Sequence, residues 1–126
     1  MRKYKVTKSS EEILEFVIKT ADDRQAEDIV ALDVQGISIL ADYFVIMNGS
    51  SSRQNRAIMN ALISDAEKNG IEIQKVEGRE STSWTLIDFN DVIVHIFSKE
   101  DREFYNLEKL WSDAALVNVD LILENS

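Results

Sequence analysis

Three places in the chain carry residue types that could do chemistry. Gly49-Ser50-Ser51-Ser52 lies between an apolar run and a helical pattern. Free backbone N–H groups, hydroxyls and the positive end of a helix dipole could hold a phosphate there. Arg53 and Arg56 follow, three apart on the first turns of that helix. They could contact the same phosphate or stand as solvated charges, and solvated charges are the expectation. The serines, for their part, are expected to cap the helix. His95, the single histidine, sits in Val92-Ile93-Val94-His95-Ile96-Phe97 and shares a strand face with Ile93 and Phe97. A catalytic histidine needs a nucleophile and an orienting acid. Asp88 and Asp91 are near in sequence, but no nucleophile accompanies them, so a half-buried, hydrogen-bonded sheet histidine is expected. Cysteine is absent, which excludes disulfides, thiol catalysis and Cys-based zinc sites. One histidine cannot build a multi-histidine metal centre, and no cofactor or metal is expected.

The third place is the strand around Trp84. One face carries Thr85, Ile87 and Phe89, the other Trp84, Leu86 and Asp88. Both faces are partly apolar, so one faces the core and the other lies under a helix or forms an exposed patch. An exposed Trp-Leu pair with an acidic edge suits a protein-binding surface. A helix expected over Lys99–Trp111 places Phe104, Leu107, Leu110 and Trp111 on one face and Tyr105 beside it. Aromatic residues near acids suit an interface, and equally the edge of a core.

These residues must be positioned by a small set of elements. Ser9 and Glu12 stand at capping-box spacing, and Ile13, Leu14, Phe16, Val17 and Ala21 recur at helical spacing. Residues 28–34 and 43–47 read as buried strands. A helix from the serine turn to about Lys68 buries Ala57, Ile58, Ala61, Leu62 and Ala66, and Asn69-Gly70 stops it. Residues 71–77 alternate as a half-exposed strand. Strands 83–89 and 92–98 form a hairpin at Asn90-Asp91, since Asn tolerates positive φ. The order α-β-β-α-β-β-β-α predicts an α/β (α+β) domain, with a mixed sheet of about five strands and helices packed on it.

The 126 residues fit one domain. There is no proline, repeat or low-complexity linker. No apolar run approaches the roughly 20 residues of a membrane span. Residues 1–8 hold four bases and no acid, and read as a frayed basic arm. The net charge is −9, divided as +4, −9 and −4 over residues 1–8, 9–98 and 99–126. So acidic a globule is repelled by phosphate backbones, which argues against nucleic-acid binding through a broad basic groove. A basic protein is its electrostatic complement.

A Gly-Ser pair opening a helix after a strand also resembles the nucleotidyltransferase fold. That chemistry needs paired acids on the next strand to hold magnesium. Here the next strand reads Ile71-Glu72-Ile73-Gln74-Lys75, and Glu72 has no acid at i+2. An enzyme of this kind would bind nucleotide with magnesium through Gly49-Ser50; it is the alternative to a non-catalytic adaptor.

Four blocks resemble the RsfS/iojap ribosomal silencing factors. They are Ala31-Leu32-Asp33-Val34-Gln35-Gly36-Ile37-Ser38; Asp42 to Ile46 with Gly49-x-Ser51-Ser52-Arg53-Gln54; Val76-Glu77-Gly78 with Trp84 and Asp91 to Phe97; and Arg102 to Trp111. Asn90 stands where the family usually has Gly, a suitable substitute at a positive-φ turn. The blocks run in order from about residue 10 to 113, so residues 9–113 read as the family domain and 114–126 as a tail without a functional reading. The resemblance implies a nucleotidyltransferase-like fold without its chemistry. It also implies binding to ribosomal protein L-fourteen on the large subunit, a block to small-subunit docking, and repression of translation in the cytoplasm under nutrient limitation. Self-association off the ribosome is implied as well. The partner-binding residues are then expected to be Trp84, Leu86, Asp88, Asp91, Tyr105, Leu107, Glu108 and Trp111.

Overall fold

The computed structural model describes residues 8–81, 83–106, 109 and 111–124, with the backbone alone at 104 and 105. The first seven residues of the basic arm, and Leu107, Glu108 and Leu110, lie outside this set.

Helix α1 (Ser10–Asp23) opens on the expected capping box. Ser9 Oγ accepts from the Glu12 N–H at 3.1 Å, and Glu12 Oε1 accepts from the Ser9 N–H at 2.8 Å. Ile13, Leu14, Val17, Ile18 and Ala21 form its buried stripe. Strands β1 (Glu27–Asp33) and β2 (Tyr43–Asn48) pair antiparallel. A register shift at Asp28, whose φ is 50°, bulges β1. Helix α2 (Ser52–Lys68) is capped by Ser51 and ends before Gly70, at φ 69°. Its buried side chains are Ile58, Met59, Ala61, Leu62 and Ala66. Ala57, expected inside, is exposed, because the stripe that meets α1 and the sheet is centred on Ile58 and Leu62.

Strands β3 (Lys75–Glu77), β4 (Trp84–Asp88) and β5 (Val92–Phe97) follow. β4 and β5 form the expected hairpin, with Asn90 at φ 77°. The strand expected over 71–77 shrinks to three residues. Ile71 turns into the core directly after Gly70, so the chain reaches β4 only near Gln74, whose N–H donates to the Asp88 carbonyl. Helix α3 covers Lys99–Tyr105, not Lys99–Trp111. Asn106 takes a left-handed conformation, φ 47° and ψ 58°, which ends the helix and puts Trp111 in a turn.

The mixed α+β architecture is as expected. The sheet order is β3-β4-β5-β2-β1-β6, with β2 and β5 parallel and the other pairs antiparallel. The sixth strand, β6 (Ala115–Leu116), is two residues long and covers the edge of β1. So short a strand has no periodicity to read. Helix α4 (Val119–Glu124) then packs Val119, Ile122 and Leu123 against the main core.

Strand alternation divides the interior. Tyr43, Val45, Met47, Val92, Val94, Ile96 and Ile87 meet α1 and α2 on one face. Leu32, Phe44, Ile46, Ile93 and Phe97 form a smaller cluster on the other, with Trp84, Leu86, Trp111 and Ala114 partly buried around it. Among the described residues the two faces are therefore unequal: one is closed by helices, the other only partly covered.

Candidate functional site: an aromatic, acid-edged sheet face

β4 alternates as the sequence implies. Thr85 and Ile87 are buried, while Trp84, Leu86 and Asp88 are half-buried on the partly covered face. The start of the strand is fixed by its loop. Ser81 Oγ accepts from the N–H groups of Ser83 and Trp84 at 3.0 and 3.1 Å. Gly78 holds φ 75°, and a Cβ there would collide with the Trp84 carbonyl oxygen.

From Trp84 an aromatic row crosses the sheet. Trp84 Nε1 donates to His95 Nδ1 at 3.2 Å, and the rings stack with centroids 6.1 Å apart. His95 also stacks on Phe97 and meets Phe44 edge-on at 5.9 Å. Phe44 meets Trp111 edge-on at 5.1 Å. An indole N–H can only donate, so Nδ1 of His95 is unprotonated and the neutral ring carries its proton on Nε2.

Burial lowers the His95 pKa from the usual 6.5 to about 4. The unfolded chain then takes up this proton at higher pH than the folded one. The contribution is constant above about pH 6.5, and stability falls as pH drops from there toward 4, by up to about 3 kcal/mol in all. Carboxylates titrate in the same range. His95→Gln, which keeps an acceptor for the indole, is therefore expected to lose less stability than the parent between pH 6.5 and 4. Denaturant titrations followed by tryptophan fluorescence check this, and parallel curves would refute it.

The acids lie at the hairpin end. Asp88 Oδ1 accepts from the Asn90 N–H at 2.7 Å, so part of its role is to hold the turn. The Asp91 carbonyl accepts from the N–H groups of Asp42 and Tyr43 at 2.8 and 3.1 Å, tying the hairpin to the start of β2. The structure thus brings Trp84, Leu86, Asp88 and Trp111 to one face and puts Asp91 at its edge. Tyr105 ends α3, its side chain not described, and Leu107 and Glu108 fall outside the described residues.

The serine turn is occupied by its own neighbours. Asn55 Oδ1 accepts from the Gly49 N–H at 2.6 Å, and Asn55 Nδ2 donates to the Phe97 carbonyl at 3.2 Å. Ser51 Oγ caps α2 through the Gln54 N–H. The adjoining cleft of about 370 Å³ is lined by Gly49–Ser52 and by Lys99, Glu100 and Asp101, so two carboxylates stand against one ammonium and disfavour a phosphate. Arg53 and Arg56 are exposed on α2.

Arg102 opens the fourth family-like block, but the sequence assigns it no role, since a helical arginine ordinarily reads as solvated. It is 8 % exposed, and its Nη1 donates to Asn48 Oδ1 at 2.8 Å. Asn48, 1 % exposed, in turn donates to Glu27 Oε1 at 3.2 Å. Arg102 thereby clamps α3 to the ends of β1 and β2 and sets where the chain leaves for Trp111.

Comparison with known proteins extends this geometry. The family described as "Ribosomal silencing factor during starvation" matches residues 7–126, including the segment that forms β6 and α4. The chain is 48% identical over 108 residues to the ribosomal silencing factor RsfS of Bacillus subtilis, covering 86% of this chain and 92% of the relative. It is 45% identical to the RsfS of Halalkalibacterium halodurans, over 91% of this chain and 98% of the relative. A crystal structure from Chromobacterium violaceum superposes with a TM-score of 0.81 at 31% identity, over 83% of this chain and 88% of that one. With nearly the whole chain matched in sequence and the fold shared with a solved structure, this protein belongs to the RsfS family of ribosomal silencing factors.

Proposed function

We propose that the chain binds the large ribosomal subunit through ribosomal protein L-fourteen, and that it sterically prevents the small subunit from joining, damping translation in the cytoplasm when nutrients are scarce. The observation that carries this is the partly covered sheet face, where Trp84 and Leu86 stand half-buried at the end of an aromatic row, with Asp88 and Asp91 at its hairpin edge. A half-exposed tryptophan on a partly apolar face is the kind of side chain that carries binding energy at protein interfaces. Acids on a chain of net charge −9 call for a basic protein rather than RNA. Tyr105, Leu107, Glu108 and Trp111 flank or support the anchor in this reading, and the chain self-associates when off the ribosome. Its part is that of an adaptor, without catalysis.

The direct test is sedimentation of purified subunits in magnesium with increasing amounts of the protein. Joined ribosomes should decline as the protein becomes saturating, with the protein co-migrating with the large subunit. Equal amounts of joined ribosomes in large excess of the protein would overturn the proposal. High salt should weaken co-migration, since the charges involved are near the surface.

A further inference from the structure

The connection between β1 and β2 displays three large apolar side chains that the described residues leave exposed. Ile37, Ile39 and Leu40 are 49, 101 and 66% exposed. Such a cluster in a loose loop would mean little, but this loop is held. The Ile37 and Ser38 N–H groups donate to the Val34 carbonyl at 3.1 and 2.9 Å, and the Leu40 N–H donates to Ser38 Oγ at 3.0 Å. The Val34 N–H donates to the Asp42 carbonyl at 2.9 Å, closing the base of the loop. Gln35 Nε2 reaches Tyr43 Oη at 3.2 Å. The apolar tip is therefore presented in a set geometry, which lowers the ordering entropy lost on docking.

Its surroundings say what it fits. The stem residues Val34 and Ala41 are buried in the cluster that includes Phe44 and Trp111, so the loop continues the aromatic face beyond the hairpin end of the sheet. Asp42 is bonded through its backbone to Asp91, which places Asp33, Asp42, Asp88 and Asp91 around that end. One base, Lys75, lies opposite Asp88 on β3 and is paired with Glu77 at 2.9 Å; no lysine or arginine occurs in residues 25–52 or 80–98. A second copy of this chain would set these acids against their equals, and RNA would set them against phosphates; both are repulsive.

We propose that Ile37, Ile39 and Leu40 form a second anchor, which docks into an apolar depression on a basic protein surface of the large ribosomal subunit. This rests on the function proposed above and extends the docking surface from the Trp84 strand to the far end of the sheet. The partner surface must then offer basic side chains around an apolar seat, wide enough to meet both ends of the row.

The test uses the full chain with Ile39→Ser and Leu40→Ser combined, and purified large subunits as the probe. Both side chains are exposed, so thermal unfolding should match the parent within about 2 °C. Binding measured by co-sedimentation should weaken about ten- to a hundred-fold, the loss of two partly buried apolar anchors. If the parent binds and the double variant binds equally, the loop proposal is overturned while the proposed function stands. If the parent itself fails to bind, both fall. If the substitutions convert a dimer to a monomer in sedimentation equilibrium without weakening binding, the occupant is a second copy and the proposal is overturned. Weakened binding to naked ribosomal RNA, with binding to ribosomal protein unchanged, would overturn it in favour of RNA.

Discussion

Trp84→Ala is expected to weaken binding to the large subunit by about thirty-fold or more, the ordinary loss of 2 kcal/mol or more at a tryptophan hot spot. The indole is half-buried in the free protein, one part on His95 and Phe97 and the rest open. A partner that covers the open part gains apolar area without disturbing the stacked part, and the stack holds the ring in place beforehand. Truncation also removes the donor to His95 Nδ1 and some packing, so a modest loss of stability accompanies it. Binding is therefore read well below the unfolding temperature, and Trp84→Phe serves as the second variant. Phe keeps a ring over His95 but loses the N–H and part of the open surface, so its binding should fall between the other two. Undiminished binding in Trp84→Ala, measured on a folded protein, would remove β4 from the docking surface.

Arg102→Ala should destabilise the fold by about 2–4 kcal/mol, the range for losing a charge-assisted hydrogen bond to a buried polar group together with its packing. For a chain of this size that lowers the midpoint of thermal unfolding by roughly 10 °C. The loss is large because Asn48 cannot turn to water: it is 1 % exposed, and its Oδ1 accepts from the guanidinium. Arg53→Ala and Arg56→Ala are the controls. Both residues are exposed on α2, and each should change stability by no more than about 0.5 kcal/mol. If all three arginine variants unfold alike, the clamp between α3 and the β1–β2 ends has no energetic weight. Should the clamp matter as argued, Arg102→Ala will also weaken ribosome binding beyond what the unfolded fraction explains, because the segment carrying Trp111 is no longer fixed.

Much was legible in the residues because the signals were local. Ser9 and Glu12 announced the start of α1, the serine turn that of α2, and Asn90 the hairpin, since caps and positive-φ turns are decided by the few residues that form them. Alternation in β4 separated Thr85 and Ile87 from Trp84, Leu86 and Asp88 without any knowledge of neighbours. Four blocks in order pointed to the family, and the stretch after α2, Ile71 to Lys75, lacked the paired acids that nucleotidyl transfer would need. What depended on distant partners was not legible. The end of α3 lies at Asn106 rather than Trp111, because a left-handed asparagine closes on the Arg102 carbonyl while the periodicity of the sequence runs on. The strand at Ala115–Leu116 exists only because the edge of β1 is there to receive it. Arg102 became a buried clamp by meeting Asn48 across 54 positions of chain, and Trp84, His95, Phe44 and Trp111 became one row only once β4, β5 and β2 lay side by side. Residue types and spacing thus determined which side chains could face outward; pairing between strands remote in sequence decided which of them share a surface.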